Sequence, residues 1–254
     1  MPVNTETADP LAPLMDLPGV RDAALQSRAD VDRLLGHRVL RKKSAEVSAE
    51  SLLRGARSSA ALEDASYQLE AVRAGAIEDP VLTGCLRVSG AVGRQTDVWE
   101  HAPLQALAAL HLQAAAGVAD PDDLGRASSR PGVSVRLQQL VETVRMKRSR
   151  DVPGVVVAAV VHGEILALQP FAQLNGVVAR AAARIVLVST GVDPKSLAVP
   201  EVGYADDEKA YAAALAAYQT GTPDGVATWL VHCCAAMSAG AVEGLAICES
   251  VLRG

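Results

Sequence analysis

Four residues within ten positions, Asn175, Gly176, Arg180 and Arg184, have the spacing of an anion site at a helix start. Asparagine is a favourable N-cap, and a glycine beside it lets the backbone approach a ligand closely. The unpaired N–H groups of a first turn attract negative charge. Arg180 follows by little more than one turn and can reach back to the same anion, and Arg184 shares its face at i+4. The plainer reading of this spacing is a capped helix whose arginines pair with neighbouring carboxylates. His162 lies two helical turns before Gln169 and on the same face. It reads as a buried histidine with a hydrogen-bonded ring, with a surrogate general base as the alternative. Glu164, two residues on, falls on a different face.

Other chemistries lack their residues. No H-E-x-x-H, P-loop or dinucleotide fingerprint is present, and His37, His101, His111 and His232 have no acidic or thiol neighbour at ligand spacing. Cys85, Cys233, Cys234 and Cys248 form no C-x-x-C pair and are expected to be buried thiols in a reducing compartment. No metal site is therefore expected. The net charge of −5 leaves no electrostatic footprint for nucleic acid. The run VVVAAVV at 155–161 is too short to span a bilayer, and the first residues lack the pattern of a signal peptide. A cytoplasmic protein without a nucleic-acid or membrane partner is expected.

Positioning the candidate residues requires two buried helices and an elbow. An apolar helix through 158–168 breaks at Gln169-Pro170-Phe171, and a second helix restarts at Asn175 and stops at Gly191. Half of the 254 residues are hydrophobic but only 3% are aromatic, so Ala, Val and Leu must fill a core of closely packed helices. Periodicity predicts further helices over 20–41, 51–57, 63–74, 80–93, 103–116, 134–150, 206–219 and 226–252. Gly75 is a credible stop, 118–133 a connecting loop, and the basic run at 145–150 a solvated helix end. Residues 1–18, with four prolines, read as a disordered lead-in, and 19–254 as one domain. No alternating strand pattern appears, which gives an all-α orthogonal bundle.

The elbow resembles the signature of the Fic (Fido-fold) family, H-P-F-x-D/E-G-N-G-R-x-x-R, with H-x-x-F-x-x-I upstream. Pro170, Phe171, Asn175, Gly176 and Arg180 match the core, and His162, Ile165 and Leu168 the upstream part. Tyr204, Tyr211, Leu215 and Trp229 resemble the tyrosine-rich segment that follows. Ser59-Ala60-Ala61-Leu62-Glu63-Asp64 resembles the S/T-x-x-x-E-G/N inhibitory motif, departing at Asp64. The likeness spans roughly residues 50–250. It implies a Fic-type bundle, with 19–75 as inhibitory-type helices and 76–254 as the core. It also implies a pair between Glu63 and Arg180 that closes the site.

The departures fall on the chemistry. The family's base histidine is Gln169, and a neutral amide accepts no proton near pH 7. The Mg²⁺-holding carboxylate is Gln173, which lacks the charge of a good anchor. The first motif glycine is Leu174, expected to resist positive φ and to crowd a phosphate. The first motif arginine is Val177. By resemblance, then, the chain is expected to be a Fic-like pseudoenzyme that acts by binding a protein partner or scaffolding a complex, with no cofactor and possible homodimer formation. The alternatives are a divergent enzyme moving AMP or another phosphate-bearing group from a nucleotide to a protein hydroxyl, using ATP with Mg²⁺, and an unrelated helical interaction module.

Overall fold

The computed structural model describes residues 9–146 and 152–253, and every regular element among them is a helix. In chain order these are α1 (Val20–Leu35), α2 (Leu40–Ala61), α3 (Leu69–Arg73), α4 (Pro80–His101), α5 (Pro103–Ala115) and α6 (Val133–Arg145). They continue with α7 (Gly154–Leu168), α8 (Asn175–Ser189), α9 (Pro200–Asp206), α10 (Glu208–Gln219) and α11 (Pro223–Arg253). Short 3-10 turns occupy Ala12–Asp16 and Pro121–Asp123. The expected all-α bundle is what forms.

Its centre is the α7–α8 pair. Only Gly154, Glu164 and Ala167 of α7 escape full burial, and α8 is buried through Leu187. A helix apolar on all sides must be surrounded by others. Here α4 and α5 pack on α8, α10 and α11 pack on α7, and α2 lies against α4, α8 and α9. With few aromatic rings to fill space, the helices approach closely instead. Gly84 of α4 lies so near the Ala114 carbonyl of α5 that a side chain there has no room.

Prolines open α4, α5, α9 and α11 at their first positions, where the missing N–H costs nothing. Asp79 caps α4 by accepting from Leu82 N at 2.8 Å. Gly75 and Gly191 end α3 and α8 at φ of +65° and +72°. Each stop carries the long bond of a Schellman turn, Ala76 N to Ala71 O at 3.1 Å and Val192 N to Leu187 O at 3.0 Å.

Several boundaries differ from the periodic reading. The helix expected to reach Arg41 stops at Leu35, before Gly36. That expected over 51–57 starts eleven residues earlier, at Leu40, because Leu40 and Val47 are buried by tertiary packing although the residues between them are mostly polar. The 63–74 segment is a turn followed by the short α3, and α9 has no counterpart in the periodic pattern. Within the supposed lead-in, residues 9–18 are ordered, with Leu11 and Met15 buried in the core; residues 1–8 lie outside the described chain. So does most of the basic end of α6, at 147–150. By length and composition α11 could cross a membrane, but half of its apolar window is buried within the fold. Trp229, Leu230, Cys234 and Ile247 make it a core helix packed on α1, α7, α9 and α10.

Candidate functional site

Two left-handed residues bracket the elbow: Gln169 at φ +48° after α7, and Leu174 at φ +53° before α8. Each such non-glycine residue costs on the order of 1–2 kcal/mol, so the surroundings must hold them. Leu174, expected to resist positive φ, adopts it. Asn175 is not the N-cap, a place taken by Leu174. Its amide instead folds back across the elbow, accepting from Phe171 N and donating to Phe171 O, both at 2.9 Å, and reaching Gln169 Oε1 at 3.3 Å. Outside, Arg130 Nη2 donates to the Leu168 and Gln169 carbonyls at 2.7 and 2.5 Å, covering the last acceptors of α7. Ser128 N donates to Pro170 O at 2.7 Å. Sequence spacing could not reveal Arg130, because it lies 38 and 39 residues from these partners in a loop.

The expected anion position holds a carboxylate from the protein itself. A Cβ on Gly176 would collide with Glu63 Oε1, so the glycine admits that oxygen to the first turn of α8. Arg180 Nη2 donates to the same Oε1 at 2.8 Å and to Ser59 O at 3.0 Å, while its Nε donates to Ser59 Oγ at 2.9 Å. The Arg180 side chain is 3% exposed and that of Glu63 22%. Burial works against the guanidinium charge, but its partners, the Glu63 carboxylate among them, outweigh it and hold its pKa above the ordinary arginine value. The structure thus brings Glu63, Gly176 and Arg180 together.

Glu63 is placed there by how α2 ends. Ala65 N bonds Ala60 O and Asp64 N bonds Ala61 O, both at 3.0 Å, with Asp64 left-handed at φ +64°. This Schellman turn makes Asp64 the C′ residue, which explains in backbone terms why the resembled motif has Gly or Asn there. Asp64→Gly is therefore expected to stabilise the fold by about 0.5–1 kcal/mol, and Asp64→Val to destabilise it by at least as much. Urea denaturation midpoints check both; a Val variant as stable as the parent would refute the strained turn.

Arg184 does not face the anion position. Its Nη1 donates to Ala198 O at 3.0 Å and its Nε to Glu201 Oε1 at 3.1 Å, with a further short contact from Nη2 to Glu201 Oε2. Both side chains are more than nine-tenths buried. The neighbouring-carboxylate reading therefore describes Arg184, and Glu201 is the partner that sequence could not single out.

His162 is fully buried, with Nε2 2.8 Å from the Tyr211 hydroxyl and its ring edge-on to Tyr204 and Trp229. Burial first, then Arg180 and His232, hold its pKa well below the ordinary histidine value. A neutral, enclosed ring of this kind fits the structural reading and not a surrogate base. Burial also pushes the Tyr211 hydroxyl up to about 12. Glu164 takes a separate face, accepting from Tyr218 at 2.7 Å and Arg136 at 2.8 Å. His37, without a neighbour in sequence, meets Glu249 at 2.9 Å. All four cysteines are buried and free.

Gln169 stands at the mouth of the elbow, its Nε2 donating to Leu166 O at 3.0 Å. Gln173 is exposed, and Val177 is buried in the apolar core. An open cleft of about 700 Å³ lies beside Gln169, lined also by Asp122, Asp123, Arg126, Ser129, Arg130 and Phe171. The donor set does not fit a Mg²⁺-nucleotide. Glu63 fills the first-turn position a phosphate would need, Leu174 carries a side chain beside it, and no carboxylate stands at 173. Among the described residues no three His, Cys, Asp or Glu side chains are grouped to hold a metal ion.

No family model matches the sequence, and no curated protein matches it. Solved structures do match the fold. A Fic family protein from Desulfovibrio desulfuricans G20 superposes with a TM-score of 0.71 at 19% identity, over 88% of this chain and 74% of that one. A segment of Fic-1 from C. elegans gives 0.71 at 15% identity, over 94% and 75%. A glutamate-to-glycine variant of that segment gives 0.66 at 16%, over 94% and 74%. These likenesses support the expected Fic-type bundle over an unrelated helical fold. The bundle built around the α7–α8 elbow is the Fic (Fido) fold.

Proposed function

We propose that the chain is a Fic-fold pseudoenzyme, without transferase chemistry, that acts by binding a protein partner. The observation that carries this reading is Gln169. It occupies the position of the family's base, yet its amide is held between Leu166 O and Asn175 and has no proton-accepting state near neutral pH. Glu63 over Gly176 and the apolar burial of Val177 support the same reading, because each removes an interaction that nucleotide phosphates would need. A divergent transferase is the second reading, favoured by the intact pair between Arg180 and Glu63, which in the resembled family restrains an active site.

Thermal unfolding with ATP and Mg²⁺ separates the two. A ligand at 100 times its Kd stabilises the native state by about 2.7 kcal/mol, which a melting curve resolves readily. The parent and Glu63→Gly are expected to show no shift at millimolar nucleotide and no transfer of labelled AMP. A shift with Glu63→Gly accompanied by labelled protein would establish the transferase. The variant combining Gln169→His, Gln173→Asp, Leu174→Gly and Val177→Arg supplies the positive control for the pocket.

A further inference from the structure

Three segments distant in sequence meet on one imidazole. His111 projects from α5 and is fully buried. Its Nδ1 accepts from Gly125 N at 3.0 Å, so this nitrogen must be unprotonated. Its ring stacks on Phe171 of the elbow, with centroids 4.3 Å apart and planes 10° from parallel. Gly125 belongs to the 121–130 segment that walls the cleft, and at φ +71° it sits where a Cβ would press on the Ala108 carbonyl. The same segment is fastened to the elbow by Ser128 and Arg130. The His111 bond is thus the inner fastening of a strap whose outer end is tied to Leu168, Gln169 and Pro170.

A bond of this kind fails in one defined way. A second proton on the ring turns Nδ1 from acceptor to donor and sets two N–H groups against each other at 3.0 Å. Replacing a satisfied buried bond with an opposed pair costs several times the value of the bond itself. The strap has an alternative, since Gly125 can turn its N–H to water once it leaves the ring. We propose that His111 is a proton-sensitive latch: neutral, it holds the 121–130 strap against the elbow; protonated, it releases the strap and widens the cleft.

The surroundings set the threshold. Burial lowers the proton affinity of His111, and the Gln173 carbonyl and the Asp123 carboxylate pull it back up. No charged side chain lies on α5 itself. On α8, Arg180 and Arg184 are committed to Glu63 and Glu201. On α4, Arg87 is tied to the Ala116 carbonyl, and Arg94, Asp97 and Glu100 sit outside the core; on α6, Arg136 is tied to Glu164, while Glu142 and Arg145 lie outside the core. Asp123 is therefore the charge acting directly on the ring, and it rides on the strap that the ring retains. Release would take this carboxylate away together with Gly125. The folded strap is favoured above the ordinary histidine range and weakened as pH falls below it.

Amide hydrogen exchange of the full chain between pH 7.5 and pH 5, corrected for the intrinsic pH dependence of exchange, reads the latch directly. Residues 125–130 are expected to lose at least tenfold in protection as the His111 ring signal titrates by NMR, while α11 amides keep theirs. His111→Asn, whose side-chain oxygen can accept from Gly125 without titrating, should hold the strap closed throughout. His111→Phe keeps an aromatic face on Phe171 but no acceptor, and should leave the strap open at both ends of the range. Pairing wild type with Asp123→Asn adds a second measurement that disturbs no packing, and its strap should open at lower pH. Strap protection that stays flat while His111 titrates would overturn the latch. So would a His111 that stays neutral until α11 itself unfolds, or strap opening in His111→Asn equal to that of wild type.

Discussion

Glu201→Ala is expected to destabilise the protein by about 3–5 kcal/mol, the range for removing one partner from a buried ion pair. The cost comes from what is left behind. Arg184 is committed to Glu201 and the Ala198 carbonyl in a site closed to water, and without the carboxylate its charge has no compensation there. For a chain of this size the change corresponds to a melting temperature lower by roughly 10 °C. Arg184→Met combined with Glu201→Leu should recover most of the loss, since two apolar side chains replace the pair without stranding a charge. Urea denaturation of the two single variants and the double gives the coupling. Single costs below about 1 kcal/mol, or a double variant that loses the sum of both, would show that water reaches the pair. The role of this pair is architectural: it ties α8 to α9 and to the 193–199 loop, where Asp193 accepts from Leu197 N and Ala198 N at 2.9 Å each. Arg180 can aim at Glu63 because the helix that carries it is fixed one turn further along.

The elbow was legible because strong local signals coincide there. Two apolar runs, a Pro-Phe break and a glycine stop set the end of α7 and both ends of α8 within a residue or two of where they fall, while α7 begins four residues before the expected run. Glu63 and Arg180, 117 residues apart, are linked in sequence only through resemblance, since spacing says nothing about such a pair. What stayed hidden shares one property: its stabilisation is tertiary. Residues 40–50 are mostly polar and show no periodic face, yet Leu40 and Val47 anchor them as helix. Glu201 is an ordinary first-turn acid until Arg184 is seen beside it. His111 and Gly125 carry no pattern that links a helix to a loop. In sequence Asn175 has the look of a cap, because caps are among its commonest uses. Its tie to Phe171 depends on an elbow conformation with two left-handed residues that no propensity favours. The identity of those two residues was the part of the site most at odds with local preference, and it is held by hydrogen bonds from Asn175 and Arg130.

Stability is expected to fall as the solution is acidified below about pH 6.5, before carboxylate titration begins. His162 is enclosed and His111 buried, and burial lowers the proton affinity of both; at His162 Arg180 and His232 add to it, whereas at His111 Gln173 and Asp123 offset it. A histidine whose folded pKa is depressed contributes stability that is complete above the unfolded value of 6.5. That contribution is lost as pH falls, because the unfolded chain takes up the proton before the folded chain does. Each proton withheld by the fold adds a slope of up to about 1.4 kcal/mol per pH unit, and His162, held further down than His111, carries most of it. Asp193, whose carboxyl is pushed up by burial, works in the opposite direction, because the folded state takes up its proton above the ordinary carboxylate value. Unfolding free energies from urea titrations at half-unit intervals between pH 7.5 and pH 5 measure the slope. His162→Gln, able to keep a hydrogen bond to Tyr211 without ionising, should flatten it by about one proton. If that variant follows the wild-type curve, His162 is reached by solvent in the native state. The close packing of Tyr204, Tyr211 and Trp229 around the ring would then have to open on the timescale of protonation, and α7 would be a moving part of the bundle instead of its fixed axis.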